Sequence, residues 1–145
     1  MQIREALYGD VGDIIDYMEE YHKDSNLSDI PFDRQSTSKV IDYLMASKDS
    51  TVLVAMDGVE IRGVLFGTIE PFFFNKKRSY ATDLMFIADG GGPQLWKSFK
   101  DWATFHGVDR IMMGVSSEDA RAGQLLEALG MKNTGGMYVL RCQSS

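Results

Sequence analysis

The sequence predicts a mixed α/β domain, and three observations carry that prediction. Short runs rich in β-branched residues end at turn dipeptides, stripes of helical period lie between them, and one strand-like run falls straight into three glycines. The predicted order is βααβββαβαβ. Antiparallel hairpins come first and βαβ-like units follow, which makes a mixed sheet with helices on both faces. At 145 residues, with no repeat and no Pro/Ser-rich linker, the chain reads as one domain, 1–145.

Each element has a local reason. Gln2–Ala6 reads as a first strand. Asp10–Met18 places Val11, Ile14, Ile15 and Met18 at the spacing of one helix face. A polar loop, Lys23–Asp33, leads to a second helix capped by Ser36 or Thr37, with Val40, Ile41 and Leu44 on its buried side. Thr51–Ala55 is β-branched and stops at Asp57-Gly58, a hairpin signal, and Glu60–Ile69 is the returning strand. Phe72–Phe74 and Asn75–Arg78 form the next connection, and Tyr80–Ala88 feeds the glycines. Pro93–His106 is a helix closed by Gly107, Arg110–Val115 a strand, and Ser116 with Asp119 opens a helix that ends near Leu129 and Gly130. Met137–Cys142 completes the sheet.

Composition narrows the function classes. A formal net charge of −6 argues against a nucleic-acid surface, which needs a basic face. No apolar run approaches the ~20 residues of a membrane span, and the charged N-terminus is unlike a signal peptide. One cysteine, Cys142, gives no disulfide framework, so a cytoplasmic protein is expected. Two histidines, His22 and His106, and that cysteine make no metal cluster, and none is expected.

The chemistry concentrates at Gly90-Gly91-Gly92. A helix starting at Pro93 leaves its first N–H groups without helical partners, at the positive end of the dipole. Glycine lets an anion approach that backbone closely, so a phosphate or pyrophosphate fits on the N–H groups of Gly91, Gly92 and Gln94. A plain turn joining strand to helix has the same composition. A P-loop is excluded because Pro93-Gln94 follows Gly92 where Lys-Ser/Thr is needed. A dinucleotide fingerprint is excluded because Leu95 stands where a third small residue belongs.

This order, and the second half of the chain above all, resembles the GNAT-type N-acetyltransferases. Gly90-Gly91-Gly92 matches the Gly-x-Gly part of that family's Arg/Gln-x-x-Gly-x-Gly/Ala loop. Leu95–Ser116 and Ala122–Gly136 look like its following helix, strand, final helix and glycine turn, and Ile3–Ala6 with Asp10 and Ile14 like its opening. The resemblance implies a six-to-seven-stranded, largely antiparallel sheet, acetyl-CoA as cosubstrate, and transfer of acetyl to a primary amine of a small molecule or peptide. It also implies that backbone groups of Leu84, Met85 and Phe86 hold the pantetheine arm, with Gly90, Gly91, Gly92, Gln94 and Leu95 around the pyrophosphate. Two departures stand out. Ala88-Asp89 replaces the basic or amide residue before the glycines, and Leu126 stands where relatives carry an acid-donating tyrosine.

For the base, Asp83 interrupts an apolar run near the start of the fourth strand, where relatives often place an acidic residue, and Glu70 is second. The same Asp83 also reads as a strand-edge partner of Arg78 or Lys77. Tyr138 would replace the missing acid if the last strand turns it inward. Ser116 reads as a helix cap or a donor to the thioester. Glu19, Tyr21 and His22, with Phe72 and Phe73, belong to the two loops that cover the acceptor in this family, and carboxylates plus aromatics suit a cationic amine. The other reading is a catalytically degenerate GNAT-like binding or scaffold module. The apolar last strand, an edge needing cover, leads to an expected homodimer.

Overall fold

The computed structural model describes residues 1–114 and 120–142, which fall into two compact units, Met1–Met113 and Gly114–Ser145. The first unit holds β1 (Gln2–Glu5), a 3-10 turn (Tyr8–Asp10), α1 (Val11–His22), α2 (Arg34–Ala46), β2 (Ser50–Asp57), β3 (Glu60–Phe72), β4 (Asn75–Ala88), α3 (Gly92–Phe105) and β5 (Arg110–Met112). Its five strands lie in the order β1-β2-β3-β4-β5, antiparallel except for the parallel β4–β5 pair. No helix among the described residues is long and apolar enough to cross a membrane.

Both faces of the sheet are covered, so β2 is buried from Thr51 to Met56 rather than on alternate residues. On one face Val52, Val54, Met56, Val64, Phe66 and Ile87 pack with Ile14, Ile15 and Met18 of α1 and Ile41 and Leu44 of α2. Val40 is exposed, against expectation. Residues adjacent on a helix point about 100° apart, and Ile41 takes the inward position. The other face carries α3, and glycine is what lets that helix approach. A Cβ on Gly63 would lie 2.8 Å from Leu95 Cδ1, and one on Gly67 would run into the Phe99 ring.

The termini of the elements have identifiable causes. Asp10 accepts the Leu7 N–H at 2.7 Å and pairs with Arg4 at 2.7 Å, fixing the entry to α1. That Arg4 hydrogen bond holds the Asp10 carboxyl below the usual carboxylate range. The cap of α2 is Asp33, whose side chain accepts the Ser36 N–H at 2.9 Å, rather than Ser36 or Thr37. Its carboxylate reaches a donor three residues on, and the helix starts two residues earlier than Ser36 for that reason. Between β2 and β3, Gly58 takes φ 63 at the first central position of a two-residue turn. Phe73-Phe74 turn β3 into β4, and Lys76–Arg78 are absorbed into β4 as an irregularity beside Pro71 and Phe72.

In the second unit α4 (Ala120–Ala128) ends at Gly130, φ 96, where the Met131 N–H returns to the Leu126 carbonyl at 3.0 Å. Met137–Cys142 forms no strand, so five strands are described and not six or seven. The physical reason lies in its pattern. Met137, Tyr138, Val139 and Leu140 are consecutive and apolar, all at least 74% exposed, so no period of two singles out one face to bury. Without that strand, the described residues offer no apolar last-strand edge for a second copy to cover. β5 ends at Met112, with Met113 and Gly114 outside the strand, and the predicted Val115, Ser116 and Asp119 lie outside the described residues.

Candidate functional site

β4 changes partners along its length. At Tyr80, Ala81 and Thr82 it pairs with β5 through Arg110, Ile111 and Met112. From Leu84 to Ala88 it keeps β3 on one side and, among the described residues, has no strand on the other. That stretch, about 3.3 Å per residue, offers a row of backbone donors and acceptors to an extended ligand. The pairing with β3 passes from Phe66–Met85 to Gly67–Asp83, so Leu84 is an extra, bulged residue and is 57% exposed. Such bulges bend a strand and re-aim its side chains. Leu84, Met85 and Phe86 therefore share one continuous edge that runs into the glycines.

The glycine loop follows directly. Gly91 is the N-cap of α3 at φ 76, with no side chain capping the helix, and Gly92 and Pro93 open it. The left-handed conformation favours glycine, and so does space. A Cβ on Gly91 would lie 2.8 Å from Ala55 Cβ and 2.9 Å from Met1 Sδ. Gly92 and Leu95 are buried while Pro93 and Gln94 are exposed, so the helix start is seated on an apolar anchor and meets solvent at its first turn. Part of what the three glycines do is packing. The rest is to leave the first-turn N–H groups bare, which suits the phosphates of a nucleotide cosubstrate.

Asp89 does not confront that helix end with a free carboxylate. Arg62 Nε donates to its Oδ1 at 3.1 Å, and the Tyr17 hydroxyl donates to the same oxygen at 3.2 Å. The single Tyr17 O–H is shared between that oxygen and the Arg62 carbonyl, 3.0 Å away, and the Asp89 and Gly90 N–H groups both reach the same carbonyl. Partial burial and the Asp89 charge push the Tyr17 phenol up to about 12. The hydrogen bond to Asp89 raises Arg62. The sequence pattern did not reveal this cluster. Arg62 is the extra residue of a bulge, between the Ala55–Gly63 and Met56–Ile61 pairs, and follows no alternation.

The two candidate bases are not brought together. Asp83 stands across from Gly67, on the face that carries α3, and is partly buried. Glu70, opposite Tyr80, is three residues further along β3, on the other face, and exposed. Arg78 pairs with Asp109 rather than Asp83. Tyr138 is 99% exposed in a segment with no strand to carry it, and Leu126 is buried in α4.

At the end of α1, Glu19 is held by Arg34 at 2.8 Å, and Asp16 pairs with the same guanidinium at 2.8 Å. These bonds tie α1 to α2. His22 Nε2 lies 2.6 Å from the Ile30 carbonyl and its ring is 5.4 Å from Phe32, so it anchors the loop between the helices. Tyr21 is exposed. Phe72 packs on Tyr80 at 5.0 Å and on Phe74 at 5.3 Å, while Phe73 is 87% exposed at the hairpin tip. Among the described residues no group of His, Cys, Asp and Glu could hold a metal ion.

No protein-family model and no curated protein matches the chain. Solved structures do. A transcriptional regulator from Bacillus halodurans C-125 is 22% identical with a TM-score of 0.79, over 97% of this chain and 98% of that one. The aminoglycoside 6'-N-acetyltransferase AAC(6')-Ig from Acinetobacter haemolyticus is 14% identical with a TM-score of 0.72, over 100% of both. AAC(6')-Iy, solved with the bisubstrate analogue CoA-S-monomethyl-acetylneamine, is 12% identical with a TM-score of 0.74, over 99% of this chain and 98% of that one. The likeness runs over nearly the whole of each chain, so the fold of this chain is that of these solved proteins, acetyltransferases among them.

Proposed function

We propose that the chain transfers an acetyl group from acetyl-CoA to a primary amine of a small molecule or peptide. The observation that carries this reading is the continuity of the β4 edge, Leu84–Ala88, with the uncapped start of α3. An extended chain with amides can lie along the edge while its phosphates meet the N–H groups of Gly91, Gly92 and Gln94. Gly90 keeps that loop low, and Leu95 anchors the helix beneath it. Acetyl-CoA supplies the thioester carbonyl that the amine attacks. The protein's own tasks are to hold that carbonyl near the Leu84 bulge, polarise it with backbone N–H groups, and accept a proton from the amine. Asp83 beside the bulge is the favoured base and Glu70, on the other face, the weaker one. Glu19 and His22 shape the loop between α1 and α2 through their partners. That leaves Tyr21, Phe72 and Phe73 as the aromatic surfaces for a cationic acceptor.

A non-catalytic module is the second reading, favoured by Leu126 and the exposed Tyr138, which leave no identified acid for the thiolate. Two measurements separate the readings. Calorimetry with CoA should show saturable binding, lost when Gly92 is replaced by a bulky residue that leaves the circular dichroism unchanged. Thiol release should then appear with one amine among polyamines, amino acids, aminoglycosides and peptide N-termini, and Asp83→Asn should reduce kcat by about 100-fold or more. Binding without turnover across that screen leaves the module, and no heat at millimolar CoA overturns the acetyltransferase reading and favours the module.

A further inference from the structure

At the end of α3 opposite the glycine loop lies a cavity of about 560 Å3. The 14 residues of the helix separate the two by about 20 Å. Its walls come from the end of β1, the C-terminal ends of α2 and α3 and the start of β2. The volume is in the range of small-molecule sites, and none of its lining residues belongs to the proposed acetyl-CoA site.

Three aromatic side chains, Tyr8, Trp102 and Phe105, line it with His106. The Trp102 ring is set in advance. It stacks on the fully buried Phe99 at 5.9 Å and 19°, and the His106 ring sits 4.8 Å away. His106 is itself fixed, with Nδ1 2.9 Å from the Trp102 carbonyl. A flat apolar group entering the cavity therefore meets a surface that needs no reordering, which lowers the entropic cost of binding. Two opposite charges line the same space, Glu5 and Lys48. Among the described residues neither side chain joins an ion pair, with each other or with any third group.

We propose that this cavity binds a small zwitterion with an aromatic body, of which a free aromatic amino acid is the simplest. The ammonium faces Glu5, the carboxylate faces Lys48 and the ring lies against Trp102. A singly charged aromatic would engage one of the two charges and leave the other unmatched, and a neutral one would leave both. The zwitterion matches all three features at once.

Phenylalanine is a suitable probe because it has no indole. Titrated into the full chain, it should saturably change tryptophan emission and raise the thermal midpoint. Phenethylamine and 3-phenylpropionate, each lacking one charge, should bind about fivefold more weakly. Glu5→Gln should weaken phenylalanine by a similar factor and leave 3-phenylpropionate unchanged, while Lys48→Met should weaken phenylalanine and leave phenethylamine unchanged. Both residues are exposed, so neither change threatens the fold. Trp102→Phe should abolish the emission change while the thermal shift persists. The proposal is overturned if phenylalanine gives no saturable signal at millimolar concentration in either readout. It is equally overturned if a singly charged analogue binds as tightly, or if Glu5→Gln and Lys48→Met leave phenylalanine binding intact. Failure of CoA to bind would not affect these outcomes.

Discussion

Asp89 is the residue on which the anion site turns. A carboxylate next to a phosphate at a helix start is repulsive, and here its charge is matched by Arg62 and its oxygen occupied by Tyr17. Removing the guanidinium in Arg62→Ala should unmask that charge and weaken CoA binding by about fivefold, the scale of one partly exposed ion pair. Combining it with Asp89→Asn should restore the affinity. Calorimetry on the two variants checks this, and a double variant as weak as the single one would mean that Arg62 contacts the ligand itself. Asp89 was legible in the sequence as a problem, because its place beside the glycines is plain from order alone. Its solution was not, because Arg62 is 27 residues away and sits in a bulge. Asp83 was legible as a polar interruption of an apolar strand, but its face relative to Glu70 depends on the irregularity between the Pro71–Ser79 and Phe72–Asn75 pairs of the connecting hairpin, which composition does not announce.

Elements with a period were read well, and elements without one were not. The α1 stripe, the β-branched β2 and the glycine-to-α3 junction each carry a local reason that tertiary contacts reinforce. The last strand failed because Met137–Leu140 has no alternation, and the α2 start was misplaced because Asp33 caps from outside the apolar pattern. Gly67 shows what pattern alone cannot reveal. Within a buried strand it looks like a weak point, whereas its missing side chain makes room for Phe99. Gly67→Ala should therefore destabilise the protein by about 1–3 kcal/mol, as overpacking does, despite alanine's better backbone entropy. Urea unfolding would read this as a lower midpoint at unchanged slope. Equal or higher stability would mean that α3 can lift from the sheet without loss.

Over the whole molecule, acidic residues outnumber basic ones, and several carboxylates stay ionised to lower pH because of a specific partner. Hydrogen bonds from Arg4 hold Asp10 below the usual range, the Ser36 N–H does so for Asp33, and Arg78 does so for Asp109. In the unfolded chain these groups titrate near pH 3.9, about the value of a free aspartate. The unfolded state thus takes up protons first as pH falls, and the stabilisation present above about pH 4 is lost below it. At the alkaline end the sign reverses. Tyr17 is raised to about 12 in the folded protein, against about 10 when unfolded, so its contribution is intact below pH 10 and disappears as pH climbs through 12. Urea midpoints measured across pH should form a plateau around neutrality with an acid limb and an alkaline limb. Asp10→Asn should lower the plateau and bring the variant closest to the parent protein at the acid end, below the depressed folded pKa of Asp10, where the parent's carboxyl is protonated in the folded and unfolded states alike. Tyr17→Phe should lower the plateau and flatten the alkaline limb. Variant curves running parallel to the parent at every pH would show that neither the Arg4–Asp10 pair nor the Tyr17 phenol is the titrating contribution.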